Sequence, residues 1–218
     1  MTHDPARLAA PIAAGARDLG VDLDADAVAR LSRYLAAMLD ANEQVNLTGV
    51  RDPAQAVVLH VLDSLAAALA LDVPPSAIFD LGTGNGFPGA ALAVLWPKAR
   101  VVLCDRTQKK VDAIRRCLDA AGIRAEAVWA DADQLPARRA DYRRAFDLVV
   151  ARAVGEPAAV ARSAEPLLGA GGRLALWLTA EDRPPVNLAG GMTRERVTRY
   201  ELPEPAARAR AITVWKRS

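Results

Sequence analysis

After the pair Pro74-Pro75 the chain changes from continuous helical patterning to short apolar runs alternating with helix-patterned segments. This alternation constrains the fold more than any other feature. Runs at Ala77–Leu81, Arg100–Cys104, Ala125–Trp129, Phe146–Ala151 and Arg173–Leu178 have strand length and apolar character. Between them, Gln108–Ala121, ended by Gly122, and Pro157–Leu168 carry helical spacing. Strands that alternate with helices imply a parallel sheet covered on both faces. Arg196–Leu202 and Ala211–Trp215 are expected to close the sheet as an antiparallel pair.

Residues up to about 72 read as helical. Asp24 can cap a segment whose Val28, Leu31, Leu35, Met38 and Leu39 share one face. Asp52-Pro53-Ala54-Gln55 is a second helix start, with an Asp cap and Pro in the first turn. The expected architecture is therefore α/β: a doubly wound, Rossmann-like sheet over residues 74–218, with an N-terminal helical extension over 1–73 packed on it.

The sequence between the first strand and its helix reads Asp80-Leu-Gly-Thr-Gly-Asn-Gly-Phe-Pro-Gly89. Glycines there allow tight turns and close approach to a ligand. In an open α/β sheet ligands bind at the carboxyl ends of the strands. Asp105 ends the second strand, where an acid can hold ribose hydroxyls, and Asp131 and Asp133 follow the third, where an adenine edge can be met. The Gly84–Gly89 spacing also matches a dinucleotide fingerprint. Asp80 immediately before the loop suits a cationic aminoacyl group better than a pyrophosphate. This favours S-adenosylmethionine (SAM) and a class I methyltransferase arrangement. No Asn-Pro-Pro-aromatic segment follows the fourth strand, so an exocyclic amine is the less favoured acceptor.

The formal net charge of +2 neither announces nor excludes a nucleic-acid partner. Candidate phosphate contacts are Arg106, Lys109, Lys110, Arg115 and Arg116, then Arg138, Arg139, Arg143 and Arg144, then Arg208, Arg210, Lys216 and Arg217. The two cysteines, Cys104 and Cys117, point to a reducing compartment, and with no signal-peptide pattern a cytoplasmic protein is expected. No metal-ligand spacing occurs, and none of the apolar runs is expected to approach the ~18 residues needed to span a bilayer.

Several segments together resemble one family, the bacterial small-subunit (16S) ribosomal RNA guanine-N7 methyltransferase G, or GidB. They are Asn46-Leu-Thr48, His60-Val-Leu-Asp-Ser64, the glycine loop, Leu103-Cys-Asp105 with Lys109, and Arg152-Ala153. The resemblance implies a SAM-dependent enzyme that acts on 16S ribosomal RNA or a small-subunit assembly intermediate. It further implies cofactor contacts from Gly82, Phe87, Ala132 and Asp133, and an arginine, Arg152, at the site. The full expected cofactor set is Asp80, Gly82, Gly84, Gly86, Phe87, Asp105, Asp131, Ala132, Asp133 and Arg152, with Arg152, Asp63 and His60 as catalytic candidates. His60, Asp63 and Ser64 share a helix face, and Asp63 is the carboxylate expected beside a cationic product base. The family's Lys-Gly after the fifth strand is replaced here by Thr179-Ala180. A monomer without metal is expected.

Overall fold

The computed structural model describes residues 2–218. Eight strands form one sheet in the order β3-β2-β1-β4-β5-β8-β7-β6. They are β1 Ala77–Leu81, β2 Arg100–Asp105, β3 Glu126–Trp129, β4 Phe146–Arg152, β5 Leu168–Thr179, β6 Asn187–Leu188, β7 Met192–Leu202 and β8 Arg208–Arg217. The first five are parallel, and β8 runs antiparallel beside β5. The strand order reverses between β1 and β4, and in such sheets the crevice at that point is where ligands bind.

The N-terminal extension contains α1 Pro5–Asp18, α2 Ala25–Val45, α3 Pro53–Ala56, a π-helical turn Val57–Leu62, α4 Asp63–Leu65 and α5 Ala67–Ala70. Their starts follow the caps read from the sequence: Asp24 accepts from the Ala27 N–H at 2.7 Å and Asp52 from the Gln55 N–H at 2.8 Å. The remaining helices are α6 Gly89–Leu95, α7 Gln108–Ala121, α8 Leu135–Arg138 and α9 Pro157–Ala164.

Side chains alternate across the sheet, as the strand period requires. Ile78, Val101, Leu103, Leu148, Ile212 and Val214 belong to the core shared with α1, α2, the Pro53–Ala70 segment, α6 and α7. Phe79, Val102, Cys104, Val149, Leu174 and Trp215 face the opposite core, which α9 helps to cover.

Three details depart from the expected elements. β5 begins at Leu168 rather than Arg173, because Gly169, Gly171 and Gly172 form a bulge against β4 between Phe146 and Leu148 instead of a free turn. The Pro157 helix ends at Ala164. The Pro53–Ala70 stretch does have the length and mean hydropathy, 1.4, of a membrane span, but 67% of it is buried within this fold. Its alanines and valines are core residues of the helical extension.

Candidate active site

A cavity of about 800 Å³ opens at the carboxyl ends of β1, β2, β3 and β4. That volume suits a cofactor-sized ligand. Gly82, Gly84, Phe87, Asp105, Asp131, Ala132, Asp133 and Arg152 all line it, as do His60 and Asp63.

Asp80 and Gly86, both expected to touch the cofactor, shape the loop from behind instead. Asp80 is buried; its Oδ2 accepts from the Thr83 hydroxyl at 2.6 Å and from the Gly89 N–H at 2.8 Å. Burial pushes its carboxyl up to about 6. A Cβ at Gly89 would lie 2.7 Å from that oxygen, so the loop closes on Asp80 only with glycine there. Gly86, at φ +89°, faces α2: a Cβ would stand 1.7 Å from the Tyr34 hydroxyl, which donates to the Asn85 carbonyl at 3.1 Å. The extension thus presses directly on the loop.

Asp105 holds the loop's front. Its Oδ2 accepts from the Gly84 N–H at 3.0 Å and its Oδ1 from the Thr107 N–H at 2.8 Å. A carboxylate has about four acceptor positions, so these bonds leave lone pairs for hydroxyls in the cavity. Asp131 turns back to accept from the Asp133 N–H at 3.1 Å and from Gln134 at 3.3 Å, which shapes the Asp131–Asp133 turn against the cavity wall.

On the other side of the crevice, the π-helical turn places His60, Asp63 and the Leu59 carbonyl around Arg152. The Arg152 Nη1 donates to Leu59 O at 2.8 Å and to Asp63 Oδ2 at 3.2 Å. Its Nη2 donates to Phe87 O at 3.3 Å and lies 3.5 Å from His60 Nδ1. Asn85 Nδ2 is 3.3 Å from the same imidazole nitrogen, so Nδ1 is the acceptor and Nε2 carries the proton toward Thr48 Oγ1 at 3.1 Å. Burial and the Arg152 charge lower His60 to about 3, so it is a neutral ring, stacked at 5.8 Å on Phe87.

Asp63, 2% exposed, is not free to stand beside a product base as the sequence suggested. Its carboxylate accepts from the Tyr200 hydroxyl at 2.6 Å and from Arg210 at 3.2 and 3.3 Å as well as from Arg152. Its carbonyl accepts from the Trp177 indole at 2.7 Å. The Asp63 carboxylate therefore ties β4, β7 and β8 to the helical extension, its carbonyl ties β5, and two half-buried guanidiniums share it. The sequence places Tyr34 on the apolar face of α2 without its contact to the loop, and it gives no sign of Tyr200 or of the Asp63 role of Arg210. No local pattern carries them, since the partners of Asp63 on β7 and β8 lie 137 and 147 residues away. Arg210 pairs across the sheet with Thr179, so a cation stands opposite the position where the resemblance implies a lysine.

Among solved structures of like fold, cofactor-bound Rv0187 from MTB aligns with TM-score 0.55 and 20% identity, over 85% of this chain and 90% of that one. TrmN from Thermus thermophilus aligns with TM-score 0.55 and 19% identity, over 81% of this chain and 53% of that one. Sheet and crevice together define the class: a Rossmann-like fold of the SAM methyltransferase type. Within that class the chain belongs to the GidB family, rRNA small subunit methyltransferase G, which it matches over residues 27–183. Relatives bearing the name ribosomal RNA small subunit methyltransferase G include one from Moorella thermoacetica, 34% identical over 74% of this chain and 68% of its own length. Another, from Methylobacillus flagellatus, is 35% identical over 82% of both chains.

Proposed function

We propose that this protein transfers a methyl group from SAM to N7 of a guanine in 16S ribosomal RNA, working as a monomer on the RNA or on a small-subunit assembly intermediate. The free, buried cysteines fit a reducing cytoplasm. Family membership supports the ribosomal RNA substrate, and the state of His60 carries the choice of N7. The one imidazole at the crevice is lowered to about 3, and its Nδ1 is covered by Arg152 and Asn85. Such a ring is a poor proton acceptor at neutral pH. Guanine N7 bears a lone pair and no proton, so it needs no base.

The crevice fits the cofactor in its shape and donor set. Gly82, at φ +69°, and Gly84, at φ +61°, bring backbone to the cavity wall, and Asp105 lines the same cavity with lone pairs left for ribose hydroxyls. When bound, SAM supplies an activated methyl group on a cationic sulfur. The chain's own residues then act by position. Asp105 and the Asp131–Asp133 turn orient the nucleoside end. Arg152 fixes the Phe87 carbonyl and the π-helical turn so that the wall at β4 is rigid, and Val154, packed beside Gly82, lines the cavity there. Holding donor and acceptor in line supplies the acceleration, with no proton transfer in the step.

Calorimetric titration with SAM and separately with NAD tests the cofactor: binding of SAM alone is expected, and preference for NAD would overturn the reading. Labelled methyl transfer to small-subunit RNA, followed by chemical cleavage at N7-methylguanine, tests the acceptor.

A further inference from the structure

We propose that Arg208 and Arg210 form the phosphate clamp that seats the target nucleotide, an inference that rests on the RNA acceptor proposed above. The thirteen cations expected as phosphate contacts separate once their partners are known. Arg115 is bonded to Asp112 and the Ala127 carbonyl, Arg139 to Asp141, and Arg144 and Arg217 to Glu165. Four of the set line the cavity: Arg106, Lys110, Arg208 and Arg210.

The two sides of the crevice differ in charge. Arg106 and Lys110 share theirs with Asp105, Asp131 and Asp133, a poor setting for a phosphate. Arg208 and Arg210 stand on β8, beyond β4 and β5, on the side away from the glycine loop. Being two residues apart on one strand, they project from the same face. The only carboxylate lining the cavity near them is Asp63, which is shared between Arg152 and Arg210. With His60 neutral, the cluster holds two guanidiniums against one carboxylate and retains an excess positive charge.

The donors are also preorganised. Arg210 is held through Nε and Nη2 on Asp63, which in turn is fixed by Tyr200, while its Nη1 meets no protein acceptor among the described residues. Arg208 is exposed and has no side-chain partner among the described residues. A fixed guanidinium that offers Nη1, beside an exposed one, matches a phosphodiester, whose two non-bridging oxygens share one negative charge and accept charge-assisted hydrogen bonds.

The test is binding of a small-subunit RNA fragment across a salt series, for the wild-type protein and for Arg208→Met, Arg210→Met and Arg210→Lys. Each Met variant is expected to weaken binding about tenfold and to reduce the steepness of log K against log salt by about 0.7–0.9. For Arg208→Met the SAM affinity, measured alongside, should stay at the wild-type value and reports that the fold is intact. Arg210→Lys should keep most of the salt slope, because a phosphate accepts a point charge. Met variants that bind RNA with the wild-type slope, or a lysine variant no better than methionine, would overturn the clamp while leaving the RNA acceptor standing. Wild-type protein with a flat salt response would instead remove the RNA acceptor, and the clamp with it. Arg208, at the surface, keeps the test decisive should Arg210→Met disturb the Asp63 cluster.

Discussion

His60 and Asp80 flank the glycine loop, and burial moves their titrations in opposite directions. Because His60 falls to about 3 in the folded protein from an ordinary 6.5, the unfolded chain binds a proton between those values that the folded chain does not. Its contribution to stability is therefore complete above about 6.5 and is lost as pH falls toward 3. Asp80 works the other way: raised to about 6 from 3.8, it stabilises at low pH and loses that contribution as pH rises through 6. The wild-type profile mixes the two slopes. A His60→Gln protein isolates the first, and its stability relative to wild type should rise by up to about 1.4 kcal/mol per pH unit below 6.5. Parallel urea titrations from pH 7 to pH 4 check this, and a constant difference would show that His60 protonates freely in the fold. Asp63→Ala leaves the half-buried Arg152 and Arg210 without their carboxylate and should cost about 2–4 kcal/mol in the same assay, short of the full cost of breaking a buried pair. A loss below 1 kcal/mol, on the scale of an exposed pair, would contradict the hub.

At the scale of elements, the site depends on helix α2 pressing on the glycine loop. Gly86→Ala drives a Cβ into the Tyr34 hydroxyl, and should weaken SAM binding about five- to 150-fold, the scale of a core clash of about 1–3 kcal/mol. Removing the hydroxyl as well, in Gly86→Ala with Tyr34→Phe, should recover part of that loss, because the two positions share one contact. Calorimetry on the single and double variants measures the coupling; strictly additive losses would argue that the loop is insensitive to α2. The sequence made α2, its Asp24 cap, the strands and the loop legible, because caps, periodicity and glycine chemistry are local signals. It did not reveal the bulge at Gly169–Gly172, since glycines read the same in a turn and in a bulge. Nor did it reveal the π-helical turn at Val57–Leu62, whose extra residue leaves the apolar spacing ambiguous. The cavity-lining acids were found by register after strands, whereas Tyr200 and Arg210 meet Asp63 only through the tertiary fold.

At the scale of the whole molecule, the helical extension and the sheet share one continuous core. Ile12, Leu35 and Val61 belong to the same cluster as Ile78, Leu148 and Ile212. We propose that residues 1–73 are a packed extension without which residues 74–218 do not fold. A chain starting at residue 74 should then lack a cooperative thermal transition, and a sharp melt would contradict this. The proposed function joins all three scales: a loop that would hold SAM, a crevice without a basic imidazole, and guanine N7 of small-subunit RNA as the proposed acceptor. Mapping N7-methylguanine in 16S ribosomal RNA from cells with and without the gene tests it most directly. One guanine is expected whose N7-methyl signal vanishes without the gene and returns when the purified protein and SAM are added to the unmethylated RNA or subunit. Identical N7-methylguanine maps from the two strains would contradict it.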